Sequence, residues 1–78
     1  MPRYFFHVFD DEVAIDEEGL ALPDPAAARD EAVKGARALA CDEVSQGHLH
    51  LDHRVEVEDE NGTSVHTIFF RDAIKVTS

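Results

Sequence analysis

The sequence predicts an α+β domain of order ββαββ: an antiparallel sheet of about four strands with one long helix packed on one face. Three observations carry this expectation. An alanine-rich run from Asp24 to Gln46 reads as a helix, Arg3 to Phe9 (RYFFHVF) reads as an aromatic strand, and two alternating segments flank Asn61-Gly62.

The first strand rests on β-branched and aromatic content, with Tyr4, Phe6 and Val8 on one face and Phe5, His7 and Phe9 on the other. After Asp10-Asp11, residues Glu12 to Asp16 form a short return strand carrying Val13 and Ile15. Glu17-Glu18-Gly19 then turns the chain, and Leu20 and Leu22 close the end of the core.

The helix has defined ends. Asp24 is placed to accept from unpaired backbone N–H groups, Pro25 at the first helical position loses only an N–H with no partner, and Ser45-Gln46-Gly47 offers glycine just past the last turn. Ala28, Ala32, Val33, Ala36, Leu39, Ala40 and Val44 make one broad stripe opposite Asp30, Glu31, Lys34, Arg37 and Asp42. The stripe is short-chained, so the helix axis must lie close to a surface that supplies the bulky groups.

Beyond the helix, Arg54 to Asp59 alternates strictly, with Val55 and Val57 inward. Asn61-Gly62 is a tight hairpin signal, because both residues tolerate positive φ. Ser64 to Phe70 returns as a strand, and Ala73 to Val76 is a further extended candidate after Arg71-Asp72.

Aromatics on both faces of the first strand set the functional expectation. One helix covers one face, so the other is expected to be buried by the tail, Ala73 to Ser78, or by a second subunit. Phe5, His7 and Phe9, with His66 and Phe70, are the interface candidates, and self-association or another protein is the expected partner.

Composition bounds the alternatives. Residues 1–78 make a single domain, small enough that only about 60% of the unfolded surface can be buried. Seventeen acidic against seven basic residues give a formal charge of -10, which protonating all five histidines would only halve. A field of that sign disfavours nucleic acid and anionic membrane as direct partners. No apolar run is long enough to span a membrane and no signal-peptide pattern is present, so the cytoplasm is the expected location.

Catalytic groups are scarce. Cys41 lies near the helix C-terminus beside Asp42 and Glu43, a setting that disfavours a thiolate, and there is no glycine-rich elbow or phosphate loop. Neither an enzyme nor a cofactor is expected. Two acidic triplets, Asp10-Asp11-Glu12 and Asp16-Glu17-Glu18, do not fit a calcium loop and read as solvated turns.

His48, His50 and His53, with Asp52, are the one cluster with ligand-like spacing. In an extended chain His48 and His50 project to one side roughly 6–7 Å apart, so a zinc or nickel shell is the alternative reading. Surface histidines in a helix-to-strand loop are preferred to it, because imidazole ligands need a fixed outer partner that the sequence does not identify.

Four separated segments carry a family resemblance: Met1 to Val8 (MPRYFFHV), the Asp16-Glu17-Glu18-Gly19 turn, Leu22-Pro23 leading into a helix with Ala28-Arg29 and Glu31-Ala32, and the closing Phe70-Arg71-Asp72-Ala73. Together they resemble a family of small proteobacterial proteins catalogued as a domain of unknown function. The resemblance implies a small bacterial protein and no activity. A second likeness is to the antitoxin half of small toxin-antitoxin pairs, which place three strands before the helix where two are counted here.

Overall fold

The computed structural model describes residues 1–75 and 77. Its elements are β1 (Arg3–Phe9), β2 (Val13–Ala14), β3 (Leu20–Ala21), α1 (Pro25–Ser45), β4 (Arg54–Glu58), β5 (Ser64–Phe69) and α2 (Phe70–Ala73). All strand pairs are antiparallel, in the order β2-β1-β4-β5, with β3 also on β1. The expected α+β class is present with five strands, three of them before the helix.

The helix forms where its end signals place it. The Asp24 carboxylate accepts from Ala27 N–H at 2.8 Å, and Pro25 opens the first turn. At the other end Gly47 takes φ +90°, Gly47 N–H donates to Val44 O and His48 N–H to Glu43 O. Those two bonds are a Schellman closure, which reverses the chain over the last turn and brings residue 48 back toward Glu43.

Four alanines spaced by four, Ala28, Ala32, Ala36 and Ala40, are fully buried. They lie against the large groups of the opposite layer: Tyr4, Val55, Val57, Ile68 and Phe70. With only methyl groups between them, helix and sheet approach closely, and a longer side chain in that row would push the layers apart. Val44, which continues the row, is exposed, so the core stops at Ala40.

The expected single return strand is two short pieces. Val13 and Ala14 pair with Phe9 and Val8, while Leu20 and Ala21 pair with Tyr4 and Arg3. Between them the Asp16 carboxylate accepts from Phe6 N–H at 3.1 Å, taking the place of a strand carbonyl. The same carboxylate accepts from Glu18 and Gly19 N–H, which curls the turn against β1.

The hairpin around Asn61-Gly62 is wider than expected. Asp59 accepts from the N–H groups of Asn61 and Thr63, its own N–H donates to Thr63 O, and only Gly62 adopts positive φ. One carboxylate closing a loop from 59 to 63 replaces the two-residue turn, with a bulge between Val57 and Glu58.

The extended candidate at Ala73 to Val76 is corrected in part. Phe70–Ala73 is a helical turn whose Phe70 and Ala73 are buried, and Arg37 Nε donates to Ala73 O at 2.6 Å. The chain is thereby tied to the helix side, and Val76 and Ser78 lie outside the described residues. No helix among the described residues is long and apolar enough to cross a membrane.

Candidate functional site

Two surfaces collect the chemistry-bearing residues, and the first is the sheet face away from α1. Strand register sets three cross-strand rows on it: Val13, Phe9, Arg54 and Phe69; then His7, Glu56 and Thr67; then Phe5, Glu58 and Ser64. Phe5, His7 and Phe9 are where the alternation puts them.

His66 and Phe70 are not, and their assignment to this face is corrected. Both share the parity of Ile68, which pairs with inward-facing Val55, so both belong to the helix side. Phe70 is fully buried, and His66 Nε2 is 2.8 Å from Pro25 O at the start of α1. Phe69 takes the position expected of Phe70.

Cover on this face comes from a source the tail-or-subunit alternative omitted. The Arg54 guanidinium lies 4.4 Å from the Phe9 ring centre and Arg71 lies 4.3 Å from that of Phe69. The turn from Asp16 to Gly19 rests beside Phe5. His7, buried, accepts at Nδ1 from Asp16 N–H at 3.0 Å and faces Glu58 with Nε2 at 3.4 Å. Flat guanidinium groups on aromatic faces shield the rings and keep their edges for polar partners, as where Arg54 Nε donates to Glu56 Oε2 at 2.6 Å.

Burial raises the Asp16 carboxyl's proton affinity, but three backbone N–H donors and the nearby His7 outweigh it, so the group is held below its ordinary 3.8. A depressed folded value means its stabilisation is complete above 3.8 and is lost as pH falls through the lower folded value. Asp16→Asn is therefore expected to flatten the acid limb of a stability-versus-pH curve followed by urea unfolding. An acid limb identical to the wild type's would contradict this role.

The second surface is the end where the 48–53 loop returns over α1 and meets the Asp10–Glu12 turn. The closure at Gly47 carries the histidines past Glu43, whose carboxylate accepts from His50 N–H at 2.8 Å and lies 2.5 Å from His53 Nδ1. His50 Nδ1 is 3.5 Å and His48 Nδ1 4.0 Å from the same carboxylate. His53 Nε2 points the other way, 3.6 Å from Asp11 Oδ1. Its ring stacks on His50 at 4.4 Å and 19°, and meets Phe70 edge-on at 5.7 Å.

Burial pushes the Glu43 carboxyl up. The His50 N–H, the His53 ring and the positive character of both imidazoles outweigh that and hold it below the usual value.

The structure thus gathers His48, His50 and His53 and leaves Asp52 exposed, outside the ligand groups found among the described residues. Glu43 and Asp11, which sequence reasoning did not attach to the histidines, take its place. A cleft of about 340 Å³ adjoins them, with Asp10, Asp11, Glu12, Asp42, Glu43 and His48 in its wall.

The family model described as Domain of unknown function (DUF6894) matches residues 3–71. The chain belongs to DUF6894. The DUF6894 match runs from β1 into α2 and includes every residue named for the two surfaces above. No curated protein and no solved structure matches this DUF6894 chain.

Proposed function

We propose that the protein is a non-enzymatic interaction module that pairs with a second copy of itself through the sheet face away from α1. The observation that carries this is the distribution of charge. The chain has a formal charge of -10, yet this face gathers three of its seven basic residues, Arg3, Arg54 and Arg71, beside Glu56, Glu58 and the Asp16-Glu17-Glu18 turn. Two copies approaching by a purely acidic surface repel, whereas this face sets basic groups among its acidic ones and can match charge with charge.

Its chemistry supports the same reading. Arginine and aromatic side chains are the groups that most often anchor interfaces, and Phe5, Phe9 and Phe69 lie among the three arginines. Exposed Val13 and Ile15 extend the apolar rim. A C2 pair would place the same patch on both sides, so Arg54 of one copy can reach Glu56 or Glu58 of its partner.

The non-enzymatic part rests on the thin inventory of nucleophiles in the sequence. The antitoxin-like reading gains one observation, since three strands precede α1, but a likeness of fold does not bring a function with it.

Sedimentation equilibrium across the micromolar range tests the proposal. A concentration-dependent dimer is expected, and Phe9→Glu or Arg54→Glu, each counted twice across a two-fold axis, should weaken it at least about tenfold with an unchanged circular dichroism spectrum. A monomer at every concentration, or a dimer indifferent to both changes, would remove the reading.

A further inference from the structure

We infer that Asp11, His50 and His53 form a binding site for one divalent transition-metal ion, with Glu43 as the carboxylate that positions the imidazoles. His53 is held between two carboxylates. Its Nδ1 is 2.5 Å from Glu43 Oε2 and its Nε2 is 3.6 Å from Asp11 Oδ1. A neutral imidazole has one N–H, and the short contact assigns it to Nδ1 donating to Glu43. The Nε2 lone pair then faces the Asp11 carboxylate at 3.6 Å, so a cation on that side would be held by both.

His50 supplies the second nitrogen. One ligand atom each from Asp11, His50 and His53 lies within 4.8 Å of the others. Zinc bonds of 2.0–2.2 Å at a tetrahedral angle require ligand atoms about 3.3 Å apart, so closing the set takes a movement on the order of 1 Å. The side chains that must move are free to do so: Asp11 is 79% and His50 44% exposed, while His53 is 11% exposed and already fixed.

Glu43 provides what histidine ligands elsewhere rely on, a carboxylate taking the N–H of the ring nitrogen that does not bind metal. It is 12% exposed and is further held by the His50 backbone N–H. A second grouping, Glu43 with His48 and His50, also brings three ligand atoms within reach. The Glu43 oxygen open to that grouping is Oε1, which already accepts from the His50 backbone N–H at 2.8 Å, so the outer grouping is favoured. Two nitrogens and one oxygen select zinc, nickel or copper(II) over magnesium or calcium, and three protein ligands leave a position for water on the side of the cleft.

The test is calorimetric titration of the full chain with zinc(II) and, separately, nickel(II), alongside ¹⁵N spectra of the histidine rings. One ion per chain is expected, with His53 as the Nδ1–H tautomer in the bound form. Asp11→Asn and His50→Ala, both at exposed positions that leave the fold intact, should weaken binding at least about tenfold. Glu43→Gln should cost about 10–100-fold and shift the His53 tautomer balance, which a purely structural role would not do. Asp52→Asn and His48→Ala should stay within about threefold of wild type, well short of the loss expected for a removed ligand or its outer partner. No binding below millimolar metal would overturn the inference. So would loss of binding in His48→Ala with Asp11→Asn unaffected, which would assign the ion to the inner grouping.

Discussion

Phe70→Ala is expected to cost about 3–5 kcal/mol of folding free energy, the range for emptying a fully buried phenylalanine site. A domain of this length has only about 4–12 kcal/mol in total, so the variant should be marginal at 25 °C and unfolded at modest temperature. Phe70 is the largest fully buried side chain and starts the helical turn that ties the chain's end to α1. Its N–H also donates to His53 O at 2.8 Å, and its ring backs the His53 imidazole. The loss should reach the histidine end as well as the core. Urea unfolding measures it as a lower midpoint with an unchanged slope, and a loss below about 1 kcal/mol would mean that the core does not depend on this residue.

Gly19→Ala carries the second large effect, about 2–4 kcal/mol, from two sources that add. The residue sits at φ +71°, where any L side chain is strained by about 1 kcal/mol, and an added Cβ would lie 2.8 Å from Arg3 Cγ and 2.9 Å from both Phe5 Cε1 and Tyr4 O. The backbone oxygen cannot move without disturbing β1, so the turn would lift and Asp16 would lose the N–H donors it gathers. Faster hydrogen exchange at the Phe6 amide should accompany the loss of stability. Gly47→Ala is the control: its φ is +90° but a Cβ there meets nothing within 4 Å, so only the backbone strain remains. Equal costs at the two glycines would show that the close approach at Gly19 contributes nothing.

Local chemistry made much of this fold legible. Asp24, Pro25 and Gly47 bounded α1 to within a residue because end signals act on the backbone beside them. Val55 and Val57 were legible through strict alternation. Leu20–Ala21 was not, because a two-residue strand has no periodicity and is defined only by its partner Arg3–Tyr4. Phe70 reads as strand in the run SVHTIFF. It opens a helical turn because its ring is claimed by the core beneath α1 and Arg37 holds Ala73 O.

The candidate sites divide in the same way. Phe5, His7 and Phe9 were placed correctly by parity, but that Arg54, Arg71 and the Asp16 turn shield this face depends on cross-strand and turn contacts. At the histidine end, Asp52 was chosen for nearness in sequence and Asp11 was overlooked because it arrives from a different hairpin. Glu43 could have been found. Glycine at 47 implies a chain reversal, and a reversal there returns residues 48 to 53 past the last turn of the helix.

The two margins of the sheet differ in kind. Along β1, pairing groups are engaged by β2 at one end, by β3 at the other and by the Asp16 carboxylate between them. Beyond β5 no strand lies among the described residues. That leaves β5 as the long open edge, since the other margin offers only the outer sides of two-residue strands, and backbone pairing by further chains is confined to one direction. Filaments grown from the native protein, visible by electron microscopy, would contradict this.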